Sequence, residues 1–317
     1  MTEALTIAEQ VRAIRGSAGA IDRTGRGLVR LRGADRVAFM QGMCTNDVAT
    51  LRAGQGCYAL HLSVKGKVIA DMAIYKGEDW LLCETEAGLG AKLAQVLEAR
   101  VVMEEVEIVD ETVLYGVVAV HGPRAFEAAG TPPLTPYAHA PEGAGLAAGR
   151  DDAGERGVHL IVPRAAAGAA LSRAIERGAT PIAEEALDAA RIEAGTPRYG
   201  VDFGEDTIPL EANLRHALSF TKGCYVGQEV IARATARGHV NWRQVGLVIE
   251  GEGVPAPGAT AASEARPEAA RITSACRSPT LARTIALAYV HRTVSDGEVL
   301  KLADGRAARV VALPFLG

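Results

Sequence analysis

The chain has 317 residues, enough for about two domains with a substantial core. Hydrophobic residues make up 48% and charged residues 23%, a balance typical of a folded globular protein rather than a disordered one. The net charge of -4 argues against a dedicated nucleic-acid binder, which would usually carry a basic surplus. No apolar run is long enough to span a bilayer and no secretion signal opens the sequence, so we expect a cytoplasmic protein without a membrane partner.

The cysteines favour a reducing compartment and predict no metal site. Their number is odd and no two have C-x-x-C spacing, which weakens a closed zinc site. The seven histidines are also scattered without the spacing of metal ligands. The five cysteines are Cys44, Cys57, Cys83, Cys224 and Cys276.

The first half of the chain predicts helices alternating with hairpin strands. Asp35 is the predicted N-cap of a helix that carries Phe39 and Met40 into the core. Asp71 interrupts an apolar strand, where a carboxylate must be exposed, partnered or functional, and we favour a functional role. The other predicted helices are 4–14 and 88–97, and the predicted strands are 28–31, 58–62, 68–75, 80–83 and 113–120.

The second half predicts two more helices and then a small all-β unit. Residues 132–149 are rich in Pro, Ala and Gly and are predicted to form a loop, as are residues 252–270. We predict an α+β fold with a domain boundary near residue 240, giving domains 1–239 and 240–317, the second a small β-barrel or sandwich. The predicted helices are 165–177 and 184–194, and the predicted strands are 158–163, 245–249, 285–290, 299–302 and 308–313.

The sequence TKGCYVGQE, residues 221–229, combines a thiol, a cation, two glycines and an amide–carboxylate pair. The apolar spacing that follows predicts a helix that starts near Cys224. A helix N-terminus and the neighbouring Lys222 would both favour the thiolate, so Cys224 is a candidate nucleophile, redox thiol or soft ligand. The alternative is that Cys224 is a small buried hydrophobe, as most free cysteines are.

Three clusters, at 191–202, 208–214 and 221–229, resemble the folate-binding YgfZ family within the wider superfamily of glycine-cleavage T-protein aminomethyltransferases. The resemblance covers nearly the whole chain, and the KGCYVGQE run is the specific mark of the YgfZ branch. Weaker blocks occur in the superfamily's order at 31–48, 66–75, 121–123, 154–157, 272–279 and 285–290.

The resemblance implies an α+β fold in which a large domain binds tetrahydrofolate and a small C-terminal β-barrel follows. Glu211 is the first candidate to grip the pterin through paired hydrogen bonds, and Glu193 is the second. A salt bridge to a neighbouring arginine is the alternative for Glu193. Arg233 could meet the folate's glutamate tail, or could simply be an exposed helix arginine. The remaining predicted folate-binding residues are Asn213, Tyr199 and Lys222.

Asp71 corresponds to one of the paired aspartates that transferases of this superfamily carry, whereas the other position is Ala70. The preceding turn is Gly66-Lys67 rather than two glycines. This departure argues against aminomethyl transfer, which needs a carboxylate near the reacting nitrogen. We therefore predict a folate-binding factor for assembly or repair of iron–sulfur enzymes, with iron–sulfur proteins or assembly factors as partners and Cys224 and Asp71 as catalytic residues. The alternative is an aminomethyltransferase that forms methylene-tetrahydrofolate with a lipoyl carrier protein.

Overall fold

A computed structural model describes residues 5–316. The helices are α1 (Ile7–Gly16), α2 (Arg36–Met43), α3 (Gly90–Glu98), α4 (Ala125–Ala129), α5 (Ala167–Glu176), α6 (Glu184–Glu193) and α7 (Gln228–Arg237). Short 3-10 turns lie at Arg164–Ala166 and Leu214–Ala217. The strands are β1 (Gly19–Asp22), β2 (Arg26–Arg32), β3 (Gln55–Leu62), β4 (Val68–Lys76), β5 (Leu81–Ala87), β6 (Glu107–Asp110), β7 (Tyr115–His121), β8 (His139–Glu142), β9 (Gly145–Arg150), β10 (Gly157–Pro163), β11 (Thr180–Pro181), β12 (Trp242–Ile249), β13 (Thr260–Ala262), β14 (Ala270–Ser278), β15 (Arg283–His291), β16 (Val299–Leu302) and β17 (Ala307–Val311).

Two sheets pack face to face in the larger part of the molecule. The five-stranded sheet has the order β3-β4-β5-β2-β6, and the six-stranded sheet has the order β11-β1-β7-β10-β9-β8. Helices α2 and α3 cover the outer face of the first sheet, while α4 and α5 cover that of the second. The inner faces share one apolar cluster, to which Leu28 and Leu82 contribute from one side and Val117 and Ile161 from the other.

Strand β4 shows how alternation sorts side chains between these layers. Ala70, Met72 and Ile74 pack in the apolar cluster under α2 and α3. Ala73 and Tyr75 instead face the second sheet. Asp71 is on that same inner face, because side chains two residues apart in a strand point the same way.

The C-terminal part is a closed six-stranded barrel with the order β12-β15-β14-β13-β16-β17. Its interior is filled by small and branched apolar side chains such as Val245, Leu247 and Val310. Helix α6 packs against the outside of the barrel, where Ile192 meets Ile285 and Leu287. The predicted α+β fold with a small C-terminal barrel is therefore confirmed. The first barrel strand begins at Trp242; the boundary near residue 240 itself stays a prediction.

Several predicted elements differ from the structure. Residues 132–149 are not wholly loop, because β8 and β9 form an antiparallel hairpin. Gly145 and Gly149 of this hairpin have neighbouring backbone so close that a Cβ would collide with it, which explains a glycine content that sequence alone attributes to a loop. The predicted 252–270 loop likewise contains β13. Asp35 is at the N-cap of α2, but its carboxylate accepts from Glu105 N (2.8 Å) and does not cap the helix. The first predicted helix began at Ala4, which lies outside the described residues.

Candidate functional site

A cavity of about 840 Å³ opens at one end of the cleft between the two sheets. Strands β3, β4 and β5 form one wall, and the end of β9 with the two residues after it forms another. Helix α6 and residues 194–198 close a third side, and Leu313 and Pro314, which follow the barrel, complete the lining. All major parts of the molecule thus meet at this cavity.

Asp71 is the buried carboxylate of the cavity wall. Its Oδ2 accepts a hydrogen bond from the Tyr58 hydroxyl (2.8 Å), whereas its Oδ1 has no partner within residues 5–316. Burial raises the pKa of Asp71 to about 6, with a further contribution from the Glu86 carboxylate and an opposing one from the Tyr58 hydrogen bond. A carboxyl group with one free oxygen and a pKa near neutrality can accept or donate a proton at physiological pH.

Alanine in place of aspartate at position 70 does not change the number of carboxylates in the cavity. Its side chain is completely buried in the apolar cluster beneath α2 and α3, on the opposite face of β4 from Asp71. An aspartate at position 70 would point into that cluster and away from the cavity. The sequence argument against aminomethyl transfer therefore loses its basis, because the position that faces the cavity keeps its carboxylate.

Aromatic rings form a second feature of the cavity. The Tyr58 ring stacks with that of Tyr137 (centroids 6.1 Å apart, 21° between planes) and with that of His216 (5.5 Å, 18°). Tyr137 has a left-handed backbone with φ of 65°. A Cβ at position 56 would lie only 2.6 Å from the Tyr137 carbonyl oxygen. Glycine at this position therefore lets the segment that carries Tyr137 approach β3. Stacked rings at a cavity wall suit a planar heterocyclic ligand.

A buried ionic network supports the same wall. Glu84 is fully buried and accepts hydrogen bonds from Tyr75, Arg150 and His159 at 2.7, 3.1 and 2.7 Å, and from Arg26. These positive and donor groups hold the pKa of Glu84 well below its usual range despite burial. Arg150 also lies over the Tyr137 ring, with its guanidinium carbon 5.5 Å from the ring centroid. The network joins the two sheets and fixes Arg150 at the cavity.

Most other charges of the cavity are paired with each other. Arg150 Nη2 donates to both carboxylate oxygens of Asp152 (2.9 Å each), and Arg23 meets Glu184 at 3.0 Å. Among the cavity-lining carboxylates, Asp71 and Asp151 make no salt bridge with a lysine or arginine of the described chain. The cavity therefore keeps two acidic groups available for a bound molecule.

The predicted folate-binding carboxylates do not lie in this cavity. Glu211 lines a different cavity of about 650 Å³, between residues 200–207 and the barrel. Glu193 is completely buried, and its carboxylate accepts from Arg15 Nη2 (2.9 Å), Ser278 Oγ (2.5 Å) and Thr280 Oγ1 (2.9 Å). This is the arginine salt bridge that the sequence offered as the alternative for Glu193. The pterin-gripping role given to these two residues finds no support in their positions.

Of the other predicted ligands, Asn213 lines the cavity and has a left-handed backbone, with its side-chain amide donating to Gln244 O (3.0 Å). Tyr199 is buried, and its hydroxyl donates to Ile69 O. Lys222 donates to the carbonyl oxygens of Gln41, Cys44 and Asn46 at 2.6, 2.8 and 2.9 Å, so it holds the C-terminal end of α2.

Arg233 is an exposed arginine on α7 that pairs with Glu229 one turn earlier (2.6 Å). This is the plainer of the two interpretations that the sequence allowed for Arg233. The pair lies on a solvated helix face, and Arg233 does not line the cavity that contains Asp71. Its role at a folate tail stays a prediction.

Cys224 does not begin a helix. Helix α7 starts at Gln228. The residue before it, the N-cap Gly227, has a left-handed backbone with φ of 83°, so the helix does not extend back to Cys224. The predicted effect of the helix dipole on the thiol is therefore wrong, since that effect is confined to the first turn. Cys224 is also exposed, so the alternative of a buried hydrophobe is wrong as well. It does not line the cavity that contains Asp71.

The cavity residues that sequence reasoning missed include Tyr58, Tyr137, Arg150 and His216. Tyr58 had a usable signal, because it lies in the strand that pairs with β4 and its partner Ala73 is two residues from Asp71. Tyr137 and His216 lie outside the strands that carry Asp71 and Tyr58, in segments with no periodicity. Only the tertiary fold brings them to Tyr58.

Two sequence profiles match this chain. Residues 3–131 match the GCVT N-terminal domain, and residues 243–316 match the glycine cleavage T-protein C-terminal barrel domain. The chain is 34% identical over 316 residues to an aminomethyltransferase of Rubrobacter xylanophilus, covering 96% of this chain and 84% of that protein. The chain belongs to the glycine cleavage T-protein family. Another member, an aminomethyltransferase of Moorella thermoacetica, is 32% identical over 98% of this chain and 89% of its own length.

The fold of the family is also seen in a solved structure. The crystal structure of the glycine cleavage system aminomethyltransferase T from Bartonella henselae superposes with a TM-score of 0.90, covering 100% of this chain and 91% of that one, at 22% identity. Aminomethyltransferases of this family use tetrahydrofolate as the one-carbon acceptor, in agreement with the predicted cofactor. Within residues 5–316, no helix is both long and apolar enough to cross a bilayer.

The cavity of this family member fits a folate. Its volume of about 840 Å³ is within the range of small-molecule sites. The unpartnered Oδ1 of Asp71 needs a hydrogen-bond donor, which a reduced pterin supplies through its ring N–H groups. Tyr58, Tyr137 and His216 offer ring faces for its planar part.

Proposed function

We propose that this protein is a tetrahydrofolate-dependent aminomethyltransferase. The observation that carries the proposal is the carboxyl group of Asp71, which is buried at the cavity wall with one free oxygen and a pKa of about 6. The 34% identity to an aminomethyltransferase along nearly the whole chain supports it. The substrate class is an aminomethyl group carried on the sulfur of a lipoyl carrier protein.

The net reaction moves a methylene group and two protons. The carbon–sulfur and carbon–nitrogen bonds of the carrier's S–CH2–NH3⁺ group break, and two carbon–nitrogen bonds to the folate form. The two N–H protons of the folate end on the thiolate and on ammonia, so the products are a thiol, ammonium and methylene-tetrahydrofolate. When bound, tetrahydrofolate supplies the nucleophilic nitrogens. Asp71 then holds one of the transferred protons at its free Oδ1.

The surroundings of Asp71 serve this role. Tyr58 fixes the carboxyl group through Oδ2, which leaves Oδ1 free to exchange a proton with a bound folate. The stack with Tyr137 and His216 holds the Tyr58 ring in place. Arg150, held by Glu84 and Asp152, keeps its positive charge at the cavity and favours the ionised carboxylate that accepts a proton.

The test is a transfer assay with tetrahydrofolate and an aminomethylated lipoyl carrier, in which released ammonia and methylene-tetrahydrofolate are measured. We expect Asp71→Asn to reduce kcat by about 10²-fold or more, the size of a lost acid–base group. Cys224→Ser is the control and should retain the wild-type rate, since its exposed thiol lies outside the cavity. Absence of turnover in the wild-type protein contradicts the proposal.

A second function is favoured by one observation, the KGCYVGQE sequence at residues 222–229 that resembles the YgfZ branch. Lys222 anchors this segment to the end of α2, and Cys224 is exposed to solvent two residues later. This candidate is a folate-binding factor for assembly or repair of iron–sulfur enzymes, with iron–sulfur proteins or assembly factors as partners.

The two functions make opposite predictions for Cys224→Ser. In cells that lack the native protein, the variant should fail to restore the activity of iron–sulfur enzymes if the second candidate holds, although folate binding is retained. If the same variant restores those activities fully and also retains aminomethyl transfer in vitro, the thiol has no such role and the transferase stands alone.

A further inference from the structure

The cavity contains one histidine among the residues that the structure describes, His216. It lies in the short 3-10 turn Leu214–Ala217, and its backbone carbonyl accepts from Asn46 Nδ2 (3.2 Å). Its imidazole stacks on Tyr58, the residue whose hydroxyl binds Asp71. Asp71 and His216 therefore both contact Tyr58, Asp71 at its hydroxyl and His216 at its ring.

The position of His216 differs from that of a core histidine. His121 and His159 are completely buried between strands, and His61 is buried with its Nδ1 next to Met43 O (2.8 Å). His216 is instead exposed to the cavity, and within the part of the chain that the structure describes its ring hydrogen-bonds only locally, to the backbone of Asn213 in the same segment. A titratable ring that faces the cavity and is held flat by a neighbouring aromatic ring is suited to proton transfer.

The proposed reaction moves two protons, whereas Asp71 Oδ1 can hold only one. We propose that His216 is a second catalytic residue of this cavity, which takes up one of the two nitrogen-bound protons and returns it to the leaving thiolate or ammonia. This inference rests on the proposed aminomethyl transfer and adds a named residue to it. Since the carrier and tetrahydrofolate supply and accept all other atoms, the step needs no further reactant.

The charged and titratable groups around His216 fit this role. Asp71 on β4 binds the Tyr58 hydroxyl, and Asp151, which follows β9, interacts electrostatically with His216. Arg150 and Asp152 lie on the same wall as Asp151 but are paired with each other, and the guanidinium of neighbouring Arg215 stacks on Phe220. Although the side chain is exposed to the cavity, desolvation by the surrounding protein lowers the pKa of His216, and Asp151 and a hydrogen bond to the backbone of Asn213 partly oppose this shift. The imidazole is therefore neutral at pH 7 and can accept a proton.

The pH dependence of kcat/KM tests the inference. If Asp71 and His216 must both be deprotonated, a plot of log kcat/KM against pH should rise with a slope of 2 at pH values below the pKa of each group. His216→Phe keeps a flat ring on Tyr58 but has no titratable nitrogen, and we expect a slope of 1 with kcat lowered by about 10²-fold. His216→Asn, which loses the ring, should behave in the same way. His291→Phe is the matched control, because His291 contacts Trp242 on the barrel, and it should leave slope and rate unchanged.

Nuclear magnetic resonance gives a readout that does not depend on turnover. The imidazole proton signal assigned to His216, identified by its absence from His216→Phe, should shift and titrate at a different pH when tetrahydrofolate is added. A wild-type slope of 2 that persists in His216→Phe, or a His216 signal unaffected by bound tetrahydrofolate, overturns the inference and leaves the transferase proposal intact. A wild-type protein that neither binds tetrahydrofolate nor turns over contradicts both.

Discussion

Asp71 shows how one buried group can link stability to function. The carboxylate form is disfavoured by burial, so the folded protein holds the Asp71 proton more tightly than the unfolded chain does. Between the two pKa values the folded state binds more protons, and stability falls as pH rises through this window. Under the proposed function, Asp71 would destabilise the fold in the ionised form that catalysis needs, which is a common consequence of catalytic requirements.

Replacement of Asp71 by Asn should therefore stabilise the protein at pH 8. The wild-type pKa of about 6, compared with the ordinary value of 3.8, corresponds to a gain of up to about 3 kcal/mol in the free energy of unfolding. At pH values well below the ordinary pKa of 3.8 the difference should vanish, since wild-type Asp71 is then protonated in both the folded and the unfolded chain. Urea denaturation across this pH range checks the prediction, and a variant less stable than wild type at pH 8 would contradict it.

At the scale of elements, two close backbone approaches position the aromatic wall. Gly56 on β3 lies so near Ile74 O and Tyr137 O that a Cβ would come within 2.3 and 2.6 Å of them. A Cβ on Gly149 of β9 would likewise come within 2.2 Å of Thr135 O. The segment that carries Tyr137 thus packs against one glycine from each sheet. Tyr137, whose backbone is left-handed, lies between these two contacts.

Gly56→Ala should destabilise the protein by more than about 1 kcal/mol, the cost of overpacking, and should weaken folate binding by displacing Tyr137. Gly168→Ala is the matched control: Gly168 lies in α5 with no atom near its hypothetical Cβ. It should stabilise the protein by about 0.5–1 kcal/mol. Thermal unfolding of both variants checks the pair. Equal melting temperatures for the two would contradict the close contact at Gly56.

The elements that sequence predicted best have strong periodicity. Strand β4 and helix α6 were found almost to their ends, because apolar alternation and helical spacing are local properties. The β8–β9 hairpin was missed, since Gly145 and Gly149 serve close approach to neighbouring backbone rather than turns. Asp71 stood out as a carboxylate in an apolar strand. Tyr137 and His216 could not be found, because their contacts with Tyr58 exist only in the folded molecule.

At the scale of the whole molecule, the barrel is joined to the larger part by polar ties as well as apolar packing. Glu193 at the end of α6 binds Arg15 of α1 and two barrel residues, Ser278 and Thr280. Asp202 makes a similar tie, accepting from Arg191 (2.6 Å) and from Ser274 of β14 (2.6 Å). Both ties lie beside the cavity that the barrel helps to close.

Glu193→Gln should weaken the attachment of the barrel to the larger part of the molecule. The change removes the buried carboxylate from Arg15, which keeps only the longer contact with Glu155 (3.5 Å) and two backbone carbonyls, and is expected to cost about 3 kcal/mol of unfolding free energy. Glu127→Gln is the control, because the exposed Arg124–Glu127 pair should contribute nothing measurable. Urea denaturation gives the stabilities, and limited proteolysis should cut the barrel of Glu193→Gln faster. An unchanged urea midpoint for Glu193→Gln would show that this tie is not structural.

The account depends on one claim, that tetrahydrofolate occupies the cavity between the two sheets and the barrel. Hydrogen–deuterium exchange with and without saturating tetrahydrofolate tests it most directly. We predict protection in peptides that cover Tyr58, Tyr137, Arg150 and His216, and none in those that cover residues 200–207 of the other cavity or Cys224. Protection confined to residues 200–211 and the barrel, with the Asp71 cavity unchanged, would contradict the account.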